Sequence, residues 1–239
     1  PVEDELVRMG VTLDPQRPIT FSDLSDALDT PDRDDSYIAF LCADADDMGR
    51  LLPLINWNTA PSPWEFNRDF IADLDNCVKH AFHDALVAVT LAELRAKEPD
   101  EWTAHLQANK SITVPALPQL LGGDDLWTVA RKDVAFSMAQ TFAQSFAALT
   151  DRVNLVAGDI GATVRSTIEA VHARQPDDTR ALTMSIGIAF AKCGHPAYAM
   201  AEAAEELLKS AKDRRKGQTF RGALQKPEGC IDWHIIESS

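Results

Sequence analysis

The stretch LPQLLGGDDLWTVA, from Leu117 to Ala130, sets two short apolar runs on either side of two glycines and two aspartates. It reads as a β-hairpin, because Gly and Asp are what a tight turn between strands demands. The adjacent carboxylates at its tip, Asp124 and Asp125, admit two readings. One is ordinary solvated turn chemistry. The other is a metal site, and the rest of the chain has to decide.

Outward from the hairpin lie two longer apolar runs. YIAFLCA (Tyr37–Ala43) ends in acids, and ALTMSIGIAFA (Ala181–Ala191) is rich in β-branched residues. Both suit strands buried on two faces. ADADDMGRLL after the first run reads as a loop, and WNTAPSPWEF as a Pro-rich one. Phe66, Phe70, Leu74, Val78, Phe82, Leu86 and Val89 then make one helical stripe from Phe66 to Arg95. Val134, Met138, Phe142 and Phe146 make a second. A further helix is expected over Ile160–His172. Another is expected over Ala197–Lys212, with Pro196 suiting its first turn. Ser22–Leu28 suits a short helix, and GCIDWHIIESS ends in an edge-like strand.

The order strand, helix, hairpin, helix, strand, helix, strand predicts an α+β, ferredoxin-like domain with helices over one face of the sheet. The expected domain spans 37–239, with insertions near 53–116 and 150–180. Residues 1–36, acidic and turn-rich, read as a flank.

In a ferredoxin-like sheet the first strand is central and can lie beside the hairpin. Asp44, Asp46 and Asp47 would then meet Asp124 and Asp125 at one edge. Carboxylate oxygens suit hard cations such as Mg²⁺ or Mn²⁺, and such a cluster repels itself without one. Two ions held this way suit phosphoryl transfer. Gly122 and Gly123 permit a tight turn and a close nucleotide approach. The loop from Asp44 through Ala45, Asp46, Asp47 and Met48 to Gly49 could aim backbone N–H groups at phosphates. Lys209, Lys212 and Lys216 share a face if the last helix continues, and a triphosphate would want that face. Each signal also has a plain reading: a turn, a strand-ending acidic loop, a solvated helix end suited to the dipole. Their joint occurrence is the stronger argument.

The chain has 239 residues, 45% of them apolar, enough for a sizeable core. Its 23 basic and 37 acidic residues give a net charge of −14, which argues against a protein that coats nucleic acid through its own basic face. The four cysteines lack CxxC spacing. Cys42 and Cys193 fall in apolar runs and are expected to be buried thiols. No apolar run reaches membrane-spanning length. A reduced, cytoplasmic setting is expected. The chain opens on Pro1 rather than Met, which fits a piece of a longer protein or a renumbered chain.

Four segments together carry a resemblance: FLCADADDMG, LLGGDDLWTV, LTMSIGIAFAKCGHPAYAMAEAAEELLKSAK and IDWHII. Over roughly 37–239 the chain resembles the Palm domains of the large polymerase-cyclase subunit of type III CRISPR effector complexes. It is similar, more distantly, to the GGDEF diguanylate cyclases. The resemblance implies a Palm fold and condensation of ATP into cyclic oligoadenylates, second messengers of antiviral defence. It implies Asp44 and the Ala45 carbonyl as metal contacts, Asp124 as the metal ligand nearest the attacking 3′-hydroxyl, and Asp125 completing the pair. Lys212 matches the triphosphate lysine of the cyclases, and Lys216 stands where they often carry a second base. Asp125-Leu126 in place of Glu-Phe favours the CRISPR branch.

One Palm binds one triphosphate, so a second Palm is expected, from a homodimer or from the rest of a larger subunit. CRISPR ribonucleoprotein subunits and RNA are further expected partners, and a membrane is not. His83-Asp84 lacks the histidine set of an HD nuclease. Two rival readings stay open: a non-catalytic nucleotide-binding scaffold, and a cyclic dinucleotide synthase. A template-dependent polymerase is disfavoured by the missing basic thumb. His195 reads as a turn residue, Trp57 and Trp64 as loop packing, and Trp233 as edge-strand core.

Overall fold

The computed structural model describes residues 15–16, 37–55, 63–96, 112–173, 181–219 and 229–236. The expected helix at Ser22–Leu28 and the loop around Trp57 lie outside them. The elements are β1 (Pro15–Gln16), β2 (Tyr37–Ala45), α1 (Met48–Leu54), α2 (Pro63–Ala96), β3 (Ile112–Thr113), β4 (Ala116–Gly122) and β5 (Asp125–Arg131). After them come α3 (Ala135–Thr150), α4 (Ala162–His172), β6 (Met184–Lys192), α5 (Ala197–Thr219) and β7 (Ile231–Ile235). The two-residue strands β1 and β3 pair with each other in parallel, a pairing too short to read from sequence.

The main sheet has the order β4-β5-β2-β6-β7. Its first four strands pair antiparallel, and β7 joins β6 in parallel. With α2 between β2 and β4, and α3 between β5 and β6, this is the ferredoxin-like arrangement with one added strand. The α+β expectation therefore holds, and β2 lies at the centre as expected.

The placement of helices differs from the expectation. Ala39, Leu41, Ala43 and Ala45 of β2 face the cluster built with α2, α3 and α4. Ile38, Phe40 and Cys42 face a second cluster with Met200, Ala204 and Leu208 of α5. Both faces of the strand are covered, which is why the YIAFLCA run is apolar without alternation. The crossover from β6 through α5 to a parallel β7 carries that helix to the other face.

The seat of α5 depends on Gly187. A Cβ there would stand 2.1 Å from the Ala204 carbonyl oxygen and 2.4 Å from the Leu208 nitrogen. Only glycine lets the helix lie this close to β6. The helix runs on to Thr219, so Lys212 and Lys216 do share a helical surface. It starts at Ala197 as expected, with the Pro196 carbonyl at its boundary accepting from the Ala199 and Met200 N–H groups.

Four other expectations change. ADADDMGRLL is not a loop, because β2 runs through Ala45 and Met48–Leu54 is helical. Pro53 cannot donate to the Gly49 carbonyl, and the helix ends one residue later, at Leu54. Trp64 is 73% exposed, and Trp233 is 51% exposed at the sheet edge rather than in the core, its ring edge-on to Phe136 and Phe190. Cys193 is half-buried just past β6, whereas Cys42 is buried.

One carboxylate of α2 caps α4, whose Val164, Ile168 and Val171 pack into the same core. Asp73 of α2 accepts from the Gly161, Thr163 and Val164 N–H groups at 2.8, 2.7 and 3.1 Å. It thereby satisfies the start of α4, where Gly161 offers no side chain. Asp73→Ala is expected to cost about 2 kcal/mol and lower Tm by about 4–8 °C. A thermal melt checks this, and an unchanged Tm would mean water replaces the cap.

Candidate active site

The GGDD hairpin turns on two residues. Gly122 pairs with Asp125, leaving Gly123 and Asp124 as the central pair. Gly123 has φ 65 and Asp124 an ordinary negative φ, the sequence of conformations that places glycine first. The register then brings the acids together. Asp44 stands opposite Asp125 on one side and Ser185 on the other. The Ala45 N–H donates to the Asp124 carbonyl at 3.2 Å. Central strand and hairpin tip thus end at the same edge.

A cleft of about 430 Å³ opens there. Its acidic wall is Asp44, Ala45, Asp46, Asp47 and Asp124, and its floor Met48, Gly49 and Arg50. Lys212, Arg215 and Lys216 of α5 complete the lining, with Lys212 and Arg215 ion-paired to the acids. Of the expected residues, Asp125, Gly122 and Gly123 lie beside this lining rather than in it. Lys209 is exposed and is not part of the lining either.

The carboxylates divide into two groups. Asp44 and Asp124 line the cleft, with Asp125 paired to Asp44, and the Lys212 ammonium lies 2.5 Å from Asp44 Oδ1. Burial pushes the Asp124 carboxyl up, and the Asp44 charge adds to it. Burial does the same to Asp125, with Asp124 and Asp44 adding. Asp46 and Asp47 instead serve the scaffold. Asp46 is 3% exposed and accepts from the Thr183 and Ser185 hydroxyls, each at 2.7 Å. Asp47, at φ 62, accepts from Arg215 Nη2 at 2.6 Å. Arg215 Nε lies 3.3 Å from Asp46 Oδ2.

Arg215 is the site residue that sequence reasoning missed. It is 5% exposed and ties α5 to the β2–α1 turn. Its spacing of three residues from Lys212 carried the signal. Arg50, on the cleft floor, was missed as well.

The oxygen donors available to a hard cation are the Asp44, Asp124 and Asp125 carboxylates and the Ala45 carbonyl. Among the described residues no three acidic, His or Cys side chains close into a ready-made metal cage. Thiol chemistry has no support: burial pushes the Cys42 thiol up to about 12, further helped by Glu205. His83 and Asp84 lie on α2 with side chains more than half exposed, away from any such cluster. His195 sits in the turn after β6, its N–H donating to the Lys192 carbonyl at 2.8 Å.

The raised carboxyls make stability depend on pH. Unfolded, Asp124 ionises near 3.8, and folded it ionises higher. Between those values the folded protein holds more protons, so its stability falls as pH rises through that window and levels off above it. Asp124→Asn cannot titrate there. In chelator, the wild type's stability relative to Asp124→Asn is therefore expected to decline as pH rises upward from about 4. Urea midpoints across pH check this, and a rising difference would contradict it.

The family model described as Cas10/Cmr2, second palm domain, matches residues 37–220. No curated protein sequence matches the chain. Solved structures similar in fold include Csm1 in T. onnurineus, at 16% identity and TM-score 0.46, over 85% of this chain and 24% of that one. They also include a Csm1-Csm4 cassette in complex with cA4, at 17% identity and TM-score 0.44, over 81% of this chain and 21% of that one. The Csm1-Csm4 subcomplex of a type III-A CRISPR-Csm interference complex matches at 17% identity and TM-score 0.45, with the same shares. The chain thus spans about a fifth to a quarter of the Csm1 chains it resembles. With the family model covering most of its length, from the central strand to the end of the lysine-bearing helix, the chain belongs to the Cas10/Cmr2 family as a second palm domain, a Palm of a type III effector subunit.

Proposed function

We propose that this Palm condenses ATP into cyclic oligoadenylate with the help of Mg²⁺ or Mn²⁺. The observation that carries the reading is the cleft itself, whose lining gathers Asp44 and Asp124 with Lys212, Arg215 and Lys216 of α5. Acids for cations beside bases for phosphates is what a metal-dependent nucleotidyl transfer requires. The donor set fits the ions. Mg²⁺ takes one or two carboxylates and completes its shell from water and substrate phosphate, so a ready-made cage is not needed. Raised carboxyls crowded together also favour a cation between them.

Asp44, Asp124, Asp125 and the Ala45 carbonyl would hold the ions. When bound, the cations neutralise the α-phosphate and make a 3′-hydroxyl a better nucleophile. Lys212 and Lys216 bind the triphosphate, with the β2–α1 turn beneath it. The 3′-oxygen forms a bond to the α-phosphorus and gives its proton to solvent water, the α–β phosphoanhydride breaks, and pyrophosphate leaves with its electron pair. The chain's own part is positioning and charge rather than a side-chain base. The 3′-hydroxyl comes from a nucleotide on a second Palm, either another copy of this chain or the rest of a longer subunit.

The test is incubation with ATP or GTP and Mn²⁺ or Mg²⁺, with products read by mass spectrometry. Cyclic adenylates support the reading, and cyclic guanylates would move it to a dinucleotide synthase. No product with metal-dependent ATP binding would leave a nucleotide-binding scaffold. For the homodimer, turnover at low concentration rises with the square of protein concentration. First-order dependence in a strict monomer contradicts it.

A further inference from the structure

The hairpin tip is held from a direction that the metal-site pattern does not include. The Gly123 N–H donates to Asp75 Oδ1 of α2 at 3.1 Å. The same oxygen stands where Gly122 lacks a side chain: a Cβ there would be 3.1 Å from it, a tight approach. Asp75 is itself fixed by Lys79, one helical turn on, at 2.6 Å. Its side chain is 26% exposed, so the bond is only partly shared with water. On the other side, the Asp124 carbonyl accepts from the Ala45 N–H. The Asp124 residue is therefore bracketed: its carbonyl is tied to β2, and the N–H one residue before it is tied to α2.

We infer that Asp75 is a positioning residue that fixes the GGDD tip, and with it Asp124, in register for metal and nucleotide. The inference rests on the proposed transfer reading of the site. It accounts for both glycines. Gly123 supplies the positive φ, and Gly122 supplies room for the carboxylate from the helix. A misplacement of about 1 Å at a reacting centre can cost about a hundredfold in rate, so a tether of this kind has a large lever. What Asp75 must offer is an acceptor oxygen, and the charge serves chiefly to hold Lys79.

The experiment compares the full chain with Asp75→Ala, Asp75→Asn and Lys79→Ala. Amide exchange at Gly123, followed by NMR, reads the tether without any need for activity. Asp75→Ala is expected to speed that exchange about tenfold or more, while Asp75→Asn and Lys79→Ala keep most of the protection. Mn²⁺ affinity with a non-hydrolysable ATP analogue should weaken severalfold in Asp75→Ala only. The rate constant for condensation should fall about ten- to a hundredfold there, with KM for ATP little changed, because Lys212 and Lys216 still hold the triphosphate.

Unchanged Gly123 exchange in Asp75→Ala overturns the tether. Asp75→Asn as impaired as Asp75→Ala also overturns it, since the charge would then be the working part. Faster exchange with unchanged Mn²⁺ affinity and rate leaves a structural contact and overturns the positioning role. If the wild type makes no product, the transfer reading fails separately. Exchange and Mn²⁺ affinity then still decide the tether.

Discussion

Asp124→Ala/Asp125→Ala is expected to lower nucleotide condensation by about a thousandfold or more while the fold persists. The size follows from what the pair faces. A transferring α-phosphate gathers negative charge, and the cations that balance it would be held by Asp44, Asp124 and Asp125. Losing that balance costs about 4 kcal/mol of barrier, which is about a thousandfold in rate. The fold persists because neither side chain fills a core: both sit half-buried at the strand ends. Removing them also relieves the repulsion and burial that raise their carboxyls. The variant should therefore melt no lower than the wild type in chelator. Product by mass spectrometry and Tm by calorimetry separate the two effects. A double variant that still makes product at a tenth of the wild-type rate would remove the acids from the chemistry.

Arg215→Met is the substitution with the largest expected effect on stability. The guanidinium is buried against Asp46 and Asp47, and methionine keeps the unbranched apolar stem while removing the charged head. Breaking a buried ion pair on one side strands the other charge and costs about 3–5 kcal/mol. Burial already pushes Asp46 up, despite donors from Ser185 and Thr183 and the charge of Arg215. Without the arginine it protonates more readily still, so the loss should shrink as pH falls. At neutral pH the expected fall in Tm is about 10 °C. Asp46→Asn in the same chain should recover part of the loss, with Asp46→Asn alone completing the cycle, since only the more exposed Asp47 charge then stays unpaired. Urea melts of the four proteins check this. A loss under 1 kcal/mol would mean that water reaches the pair.

The strands were legible because β2 and β6 are buried on both faces, so their residues run apolar without a break. The hairpin was legible because Gly123 and Asp124 obey turn chemistry. The meeting of Asp44 with Asp124 and Asp125 followed once the strand order was assumed, because pairing at the centre of a ferredoxin-like sheet leaves little choice. The helix α1 was hidden by its shortness and by Pro53, and the seat of α5 on the second face by a parallel crossover that local patterns do not encode. Asp46 and Asp47 look like ligands in sequence because acids next to a metal-site pattern carry no label. Only the fold gives them Arg215 as a partner. Asp75 was invisible for a related reason. It is one polar residue on a long helix, and its partner is 48 residues away.

The most direct measurement is anomalous diffraction from crystals of the chain grown with Mn²⁺ and a non-hydrolysable ATP analogue. Manganese is expected between Asp44, the Ala45 carbonyl and Asp124, with the triphosphate along Lys212 and Lys216. Manganese absent from this edge of the sheet while the analogue is bound, or the analogue seated elsewhere, would contradict it.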